Sequence, residues 1–135
     1  MPKIGALRID TKTANEGRWV EYPEVPGMRF KIARYGNAAF KRAVDKIMRP
    51  VRSVVSTMST ERLTEMQWPA VARHVLVGWD GIEDDDGNEI PYSPQKAEEF
   101  LRDERYAALT EWVLAESRND AAITESEVKA AAGNL

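Results

Sequence analysis

Cysteine is absent from this 135-residue chain, so thiolate nucleophiles, cysteine-held zinc and disulfide frameworks are excluded together. Histidine occurs once, at His74, which leaves a single side chain whose ordinary pKa lies near neutrality. No stretch approaches the roughly 20 consecutive apolar residues of a membrane-spanning helix. Residues 1–8 lack the apolar core of a secretion signal, so neither secretion nor a membrane is expected. There is no Gly-x-Ser-x-Gly elbow and no Gly-x-x-x-x-Gly-Lys-Ser/Thr phosphate loop. These gaps point away from chemistry and towards binding: no catalytic, metal or cofactor residue is assigned.

What is present is the composition of an ordinary soluble domain, 43% hydrophobic and 30% charged. A chain of this length buries enough surface to fold on a core without a metal or cofactor. The net charge is only −3, yet its halves differ: residues 1–55 hold 12 Lys/Arg against 5 Asp/Glu, about +7, and residues 56–135 hold 7 against 17, about −10. Such asymmetry suits either a nucleic-acid-binding half or attraction between copies, besides two solvated faces of one domain.

The first third alternates apolar with polar residues. Residues 18–22 and 28–34 read as antiparallel strands joined by a turn at Pro23, Pro26 and Gly27, with residues 4–9 a further edge strand. Asn37 then caps a helix over 38–48 whose stripe is Ala39, Phe40, Ala43, Val44 and Ile47, ended by Pro50. Ser59 or Thr60 starts a second helix, with Leu63, Met66, Ala70, Val71, His74 and Val75 on its buried face. Pro69 either kinks this helix or begins a fresh one, and Gly78 closes it. Residues 79–92 read as a long polar connection in which Asp86-Gly87 makes a tight turn and sets Ile82 across from Ile90. Ser93-Pro94 starts another helix, with Ala97, Phe100 and Leu101 inward, and Tyr106, Leu109, Trp112, Val113 and Leu114 form a further apolar set. From Asn119 onward large apolar residues are scarce. The expectation is therefore an α+β domain over 1–118, a small N-terminal antiparallel sheet packed on a predominantly helical body, with 119–135 a mobile tail.

Three features invite a functional reading. Asp84-Asp85-Asp86-Gly87 resembles a calcium loop, but aligning Gly87 with that loop's glycine puts Ile82 and Ser93 at its first and last ligand positions, so it reads as a solvated turn. His74 sits between Val71 and Val75 on an apolar stripe and reads as structural. Arg29, Lys31 and Arg34 interleave with Phe30 and Tyr35 ahead of Lys41, Arg42, Lys46, Arg49 and Arg52, which supports an alternative reading as a small DNA-binding or regulatory module. Phe30, however, belongs on the opposite strand face from its basic neighbours, and nucleic acid is not expected as the main partner.

The run Val75-Leu76-Val77-Gly78-Trp79-Asp80-Gly81-Ile82, then Asp86-Gly87-Asn88-Glu89-Ile90-Pro91-Tyr92-Ser93-Pro94, then Ala97-Glu98-Glu99-Phe100-Leu101, resembles the tail assembly chaperones of long-tailed bacteriophages. The strand through 28–32 followed by Asn37 and a helix is similar to the same family, so the likeness spans residues 18–115. The resemblance implies a non-enzymatic chaperone in the host cell cytoplasm that binds the tape measure protein, helps recruit the major tail tube protein and is absent from the finished virion. It also implies a homo-oligomer and, in many members, a frameshifted longer form of the same protein. On that reading the partner contacts are expected at Trp79, Asp80, Ile82 and Tyr92, with Trp79 opening an exposed loop, and self-association at Lys41, Arg42 and Lys46.

Overall fold

Alternation in the first third produces a hairpin: β1 (Arg18–Glu21) pairs antiparallel with β2 (Arg29–Ile32), setting Val20 opposite Phe30 and Trp19 opposite Lys31. The computed structural model describes residues 1–133. Phe30 and Ile32 point into the core while Arg29 and Lys31 stay on the wet face, as a period of two requires. A third strand, β3 (Leu76–Asp80), completes the sheet in the order β1-β2-β3, with an irregularity between Lys31 and Ile32 that leaves Val77 without a partner in the register. β3 is a correction. Gly78 is not the end of a helix but lies mid-strand opposite Lys31, in a run buried by its pairing with β2.

Before the hairpin come a 3₁₀ segment, Ile4–Leu7, and a short helix α1 (Thr11–Glu16) capped by Asp10, whose carboxylate accepts from the Thr13 N–H at 2.8 Å. The edge strand expected over residues 4–9 thus reduces to a single bridge, Ile9 to Thr124. After it, α2 (Ala38–Met48) is capped by Asn37, whose Oδ1 accepts from the Phe40 N–H at 3.0 Å. Pro50 does not end the chain's winding: α2 passes into a 3₁₀ segment, Arg49–Thr57, that buries no side chain. The long helix α3 (Thr60–His74) runs continuously through Pro69, capped by Ser59. Pro69 has no N–H for the Glu65 carbonyl, and the Arg102 guanidinium lies 3.5 Å from that oxygen while holding the Glu65 carboxylate at 2.8 Å.

α4 (Pro94–Arg102) begins on Ser93 as expected, then α5 (Ala107–Ser117) and α6 (Glu125–Gly133) follow. The core joins Phe30, Ile32, Leu76 and Trp79 of the sheet to Phe40 of α2, Ala70, Val71 and Ala72 of α3, Ala97 and Leu101 of α4 and Val113 of α5. The architecture is therefore the α+β one read from the sequence, a three-stranded antiparallel sheet on a helical body.

The segment expected as a tail from Asn119 is folded over 119–133; residues 134–135 lie outside the described residues. Ile123 is buried, the Asp10 N–H donates to the Ile123 carbonyl at 2.7 Å, and the Glu125 N–H donates to the Arg8 carbonyl at 2.8 Å. Arg34 grips Asp120 with both Nε (2.8 Å) and Nη2 (3.1 Å), which holds the carboxyl below its usual range. One buried isoleucine plus backbone bonds to a distant segment replaces the apolar mass the sequence lacks. Arg34, Tyr35, His74 and residues 117–125 therefore gather at one end of the sheet; the hairpin turn 22–28 and the loop after β3 gather at the other.

Candidate partner-binding cleft

At the hairpin-turn end, two tight turns lean on each other. The Tyr22 N–H donates to the Met28 carbonyl (2.8 Å), the Glu21 carboxylate accepts from the Gly27 N–H (2.7 Å), and Gly27 turns at φ 92°. Gly81, at φ 72°, backs onto the Gly27 carbonyl so closely that a Cβ there would sit 2.1 Å from the oxygen. Beyond Gly81, Ile82 and Ile90 face one another as expected, the Ile90 N–H donating to the Ile82 carbonyl at 2.9 Å. The Asp84 carboxylate accepts from the Asp86 and Asn88 N–H groups, both at 2.9 Å, and closes the acidic turn with its own backbone.

Between these turns and the start of α5 opens a cleft of about 490 Å³. Its apolar lining comes from Tyr22, Val25, Met28 and Phe30 of the hairpin, Ile82 and Ile90 of the loop, Phe100 of α4, Tyr106 just before α5 and Leu109 within it. Beneath it runs a chain of edge-on and tilted aromatic contacts, Tyr106 to Phe100 at 5.1 Å, Phe100 to Trp79 at 5.6 Å, Trp79 to Phe30 at 6.5 Å and Phe30 to Trp112 at 5.7 Å. Glu83, Asp84 and Asp85 form an acidic rim. The rim's cation, Arg105, is taken by Asp103 at 2.7 Å, a bond that holds the Asp103 carboxyl below its ordinary range, so the cleft mouth stays negative. Val25 and Tyr106 are 44% and 41% exposed, an apolar mouth open to solvent.

The four residues expected to touch a partner divide. Trp79 is not exposed at the head of a loop: it is 6% exposed in β3, and its indole N–H donates to the Ile90 carbonyl at 2.8 Å. An indole donor inside a core needs such an acceptor, and Ile90 supplies it because the acidic turn folds back. Tyr92 is likewise structural; its hydroxyl lies 2.7 Å from the Ala72 carbonyl and 2.8 Å from the Leu76 carbonyl, and burial pushes its phenol pKa up. Ile82 is 8% exposed yet lines the cleft. Asp80 lies on the outer face of the sheet, paired with Arg29, whose guanidinium also lies over the Trp19 ring at 4.9 Å. Of the four only Ile82 lines the cleft; Trp79 packs behind its lining against Phe30 and Phe100, Tyr92 is bonded to the Ala72 and Leu76 carbonyls, and Asp80 stands apart. The sequence reading missed Val25, Met28, Tyr106 and Leu109. Val25, an apolar residue between Pro23 and Pro26, was the one local signal for them.

Lys41, Arg42 and Lys46 are exposed on α2, and among the described residues none of them forms an ion pair. Asp45 instead takes Arg49 (2.9 Å) and Arg52 (2.8 Å). Beside this basic stripe a groove of about 460 Å³ runs between α2 and the 3₁₀ segment, floored by Phe40, Val44, Met48 and Val55. His74 is half-buried; burial, reinforced by Arg73 and Arg42, holds its pKa below the ordinary value. Among the described residues no three His, Asp or Glu side chains gather as a metal site, and no helix is long and apolar enough to cross a membrane.

Residues 35–134 match the family model described as YdaY prophage protein. The chain belongs to the YdaY prophage protein family. Its origin is therefore phage, and the match takes in everything from the end of the hairpin through α6. Among YdaY residues thus lie the acidic rim, Ile82, Phe100, Tyr106 and Leu109, while the hairpin that supplies the cleft's other wall precedes the matched region. No curated protein and no solved structure matches the chain.

Proposed function

We propose that this YdaY-family protein is a non-enzymatic tail assembly chaperone that binds the tape measure protein of its prophage and helps recruit tail tube protein. The observation that carries the reading is the cleft: an open, aromatic-floored apolar site with a negative rim, suited to an apolar anchor on a partner chain. Its walls include the stretch around Ile82 and Ile90 on which the likeness to tail assembly chaperones rests, and the prophage family agrees with that origin. A long helical tape measure needs apolar surface shielded until tube protein closes around it, and a shallow, exchangeable cleft suits that duty. The unpaired cations Lys41, Arg42 and Lys46 then provide self-association by attracting the acidic surface of a neighbouring copy.

The test is co-expression with the tape measure protein of the same prophage, read by size-exclusion chromatography with light scattering. A soluble complex that is lost in the Val25→Asp/Tyr106→Ser variant supports the reading. No complex with the intact protein overturns it. The α2 stripe favours a second reading, a DNA-binding module. DNA affinity that falls steeply with salt and is lost with Lys41→Glu/Arg42→Glu would support that alternative instead.

A further inference from the structure

The most exposed large apolar side chains besides Met1 are Ile4 and Leu7, at 84% and 72%. They belong to the 3₁₀ segment Ile4–Leu7, which buries no side chain, so neither residue serves the core of its own molecule. The segment is nonetheless held in shape. The Ala6 N–H donates to the Lys3 carbonyl (3.0 Å) and the Arg8 N–H to the Gly5 carbonyl (3.1 Å), and the chain behind it is fastened by the Ile9–Thr124 bridge and the Arg8–Glu125 pair. Two aliphatic anchors presented on a fixed turn are a convex apolar feature, and the cleft is a concave one.

We propose that the segment Ile4–Leu7 of one copy seats Ile4 and Leu7 in the apolar cleft of a second copy. This inference rests on the reading of the cleft as a docking site and names an occupant for it. Charge agrees with the pairing. Lys3 beside the anchors forms no ion pair among the described residues and can meet Glu83, Asp84 and Asp85 on the rim, and Lys41 and Arg42 stand at the same end of the molecule, because the Ala38 N–H that opens α2 donates to Asn15 of α1 at 3.2 Å. Geometry makes the contact intermolecular. α1 leads directly into the start of β1, whereas the cleft begins at Tyr22 just past its far end, so segment and cleft lie at opposite ends of the sheet. A contact between two different patches is heterologous, and repeated from copy to copy it builds a chain or a ring instead of a closed dimer. Two anchors cover far less than the roughly 1,200 Å² of a stable complex, so the association is weak and grows with concentration.

The experiment is sedimentation velocity across a concentration series on the intact protein, an Ile4→Asp/Leu7→Asp variant and the Val25→Asp/Tyr106→Ser variant. All four positions are exposed, so the core is untouched. The intact protein should gain mass with concentration, while each variant alone stays a single chain. Mixing the two variants should restore association but stop it at a dimer, because only one good segment and one good cleft remain in the mixture. An Ile4→Asp/Leu7→Asp variant that associates like the intact protein, or a mixture that stays monomeric, overturns the proposal. Binding of the tape measure protein, measured on the same variants, separates this from the functional reading. Self-association that survives loss of the anchors, with tape measure binding still lost in the cleft variant, sinks only the segment. Complementation without tape measure binding upholds the segment and sinks the chaperone reading.

Discussion

Replacing Gly81 with alanine tests the joint that shapes the cleft. At φ 72° an alanine sits in the left-handed region, which costs an L-residue roughly 1–2 kcal/mol. Its Cβ would also stand 2.1 Å from the Gly27 carbonyl oxygen, so the two turns must part by about 1 Å, an overpacking of the kind that costs about 1–3 kcal/mol. Together these give a loss of about 2–5 kcal/mol, and for a chain of this size a drop in Tm on the order of 10 °C. Gly27→Ala is the internal control. Gly27 also has positive φ, 92°, but a Cβ there meets nothing within 4 Å, so it carries the backbone cost of about 1–2 kcal/mol without the clash. Thermal unfolding followed by circular dichroism on both variants isolates the clash as their difference. A Gly81→Ala protein no less stable than Gly27→Ala would refute the packing of hairpin turn against loop, and with it the cleft's shape.

Asn37 is buried and spends both ends of its amide, capping α2 with Oδ1 and donating Nδ2 to the Arg34 (2.8 Å) and His74 (2.7 Å) carbonyls; Asn37→Ala should cost about 2–4 kcal/mol in urea unfolding. Asn37→Asp keeps the cap but turns a carboxylate on two carbonyls, so it should be at least as unstable at pH 7 and recover as acid protonates it. Pro69→Ala supplies the missing N–H to Glu65, and the cost of Arg102→Leu should then shrink by about 0.5–1 kcal/mol in a double-mutant cycle; an unchanged cost removes Arg102 as that carbonyl's partner. Asp10, bonded by the Thr13 N–H, and Asp120, bonded by Arg34, both have folded pKa values below the ordinary 3.8, so their contribution is present above that pH and lost as pH falls through the folded values. His74 acts in the same direction at higher pH: its folded pKa is below 6.5, the unfolded chain takes the proton more readily, and stability should decline as pH drops through 6.5. Protection factors from hydrogen exchange at pH 7, 5 and 3 should therefore fall around His74 between pH 7 and 5, and at residues 8–10 and 120–125 only towards pH 3; uniform loss of protection would contradict it.

Local signals were legible and long-range ones were not. The hairpin, the α2 boundaries with Asn37, the Ser59 and Ser93 caps and the Ile82–Ile90 approach all depend on neighbours within a few residues, and each stands where the sequence puts it. β3 was hidden because Val75-Leu76-Val77 continues the apolar stripe of α3, and only pairing with β2, more than forty residues earlier in the chain, makes Leu76–Asp80 a strand. Gly78 looked like a helix stop for the same reason. A side chain there would meet Lys31 Cβ at 3.3 Å across the sheet, a demand no neighbour in sequence reveals. The order of residues 119–133 was equally nonlocal, since its anchors are Arg8, Asp10 and Arg34. Trp79 illustrates the cost of averaging: a polar stretch drew it outward, although its lone donor was met by Ile90, eleven positions on.

The cleft lay beyond sequence reading because Tyr22, Phe30, Phe100 and Tyr106 share no periodicity and converge only when hairpin, α4 and α5 meet. The charge asymmetry, by contrast, was visible as a number and ambiguous as a meaning. The fold separates the charges in space, with Lys41 and Arg42 near the α1 end and the Glu83–Asp86 turn at the cleft end. In the proposed assembly the free cations of one copy, Lys41 and Arg42, would approach the acidic turn of the next nose to tail, at a range of about 8 Å in physiological salt, while Asp120 and Glu125 at the same end are already paired with Arg34 and Arg8. On the proposed docking, exposed Ile4 and Leu7 at the first end and the open cleft at the second would convert that orientation into contact. Salt should therefore slow association more than it weakens the contact formed, since screening acts on the approach and the buried aliphatic anchors act on the dwell time.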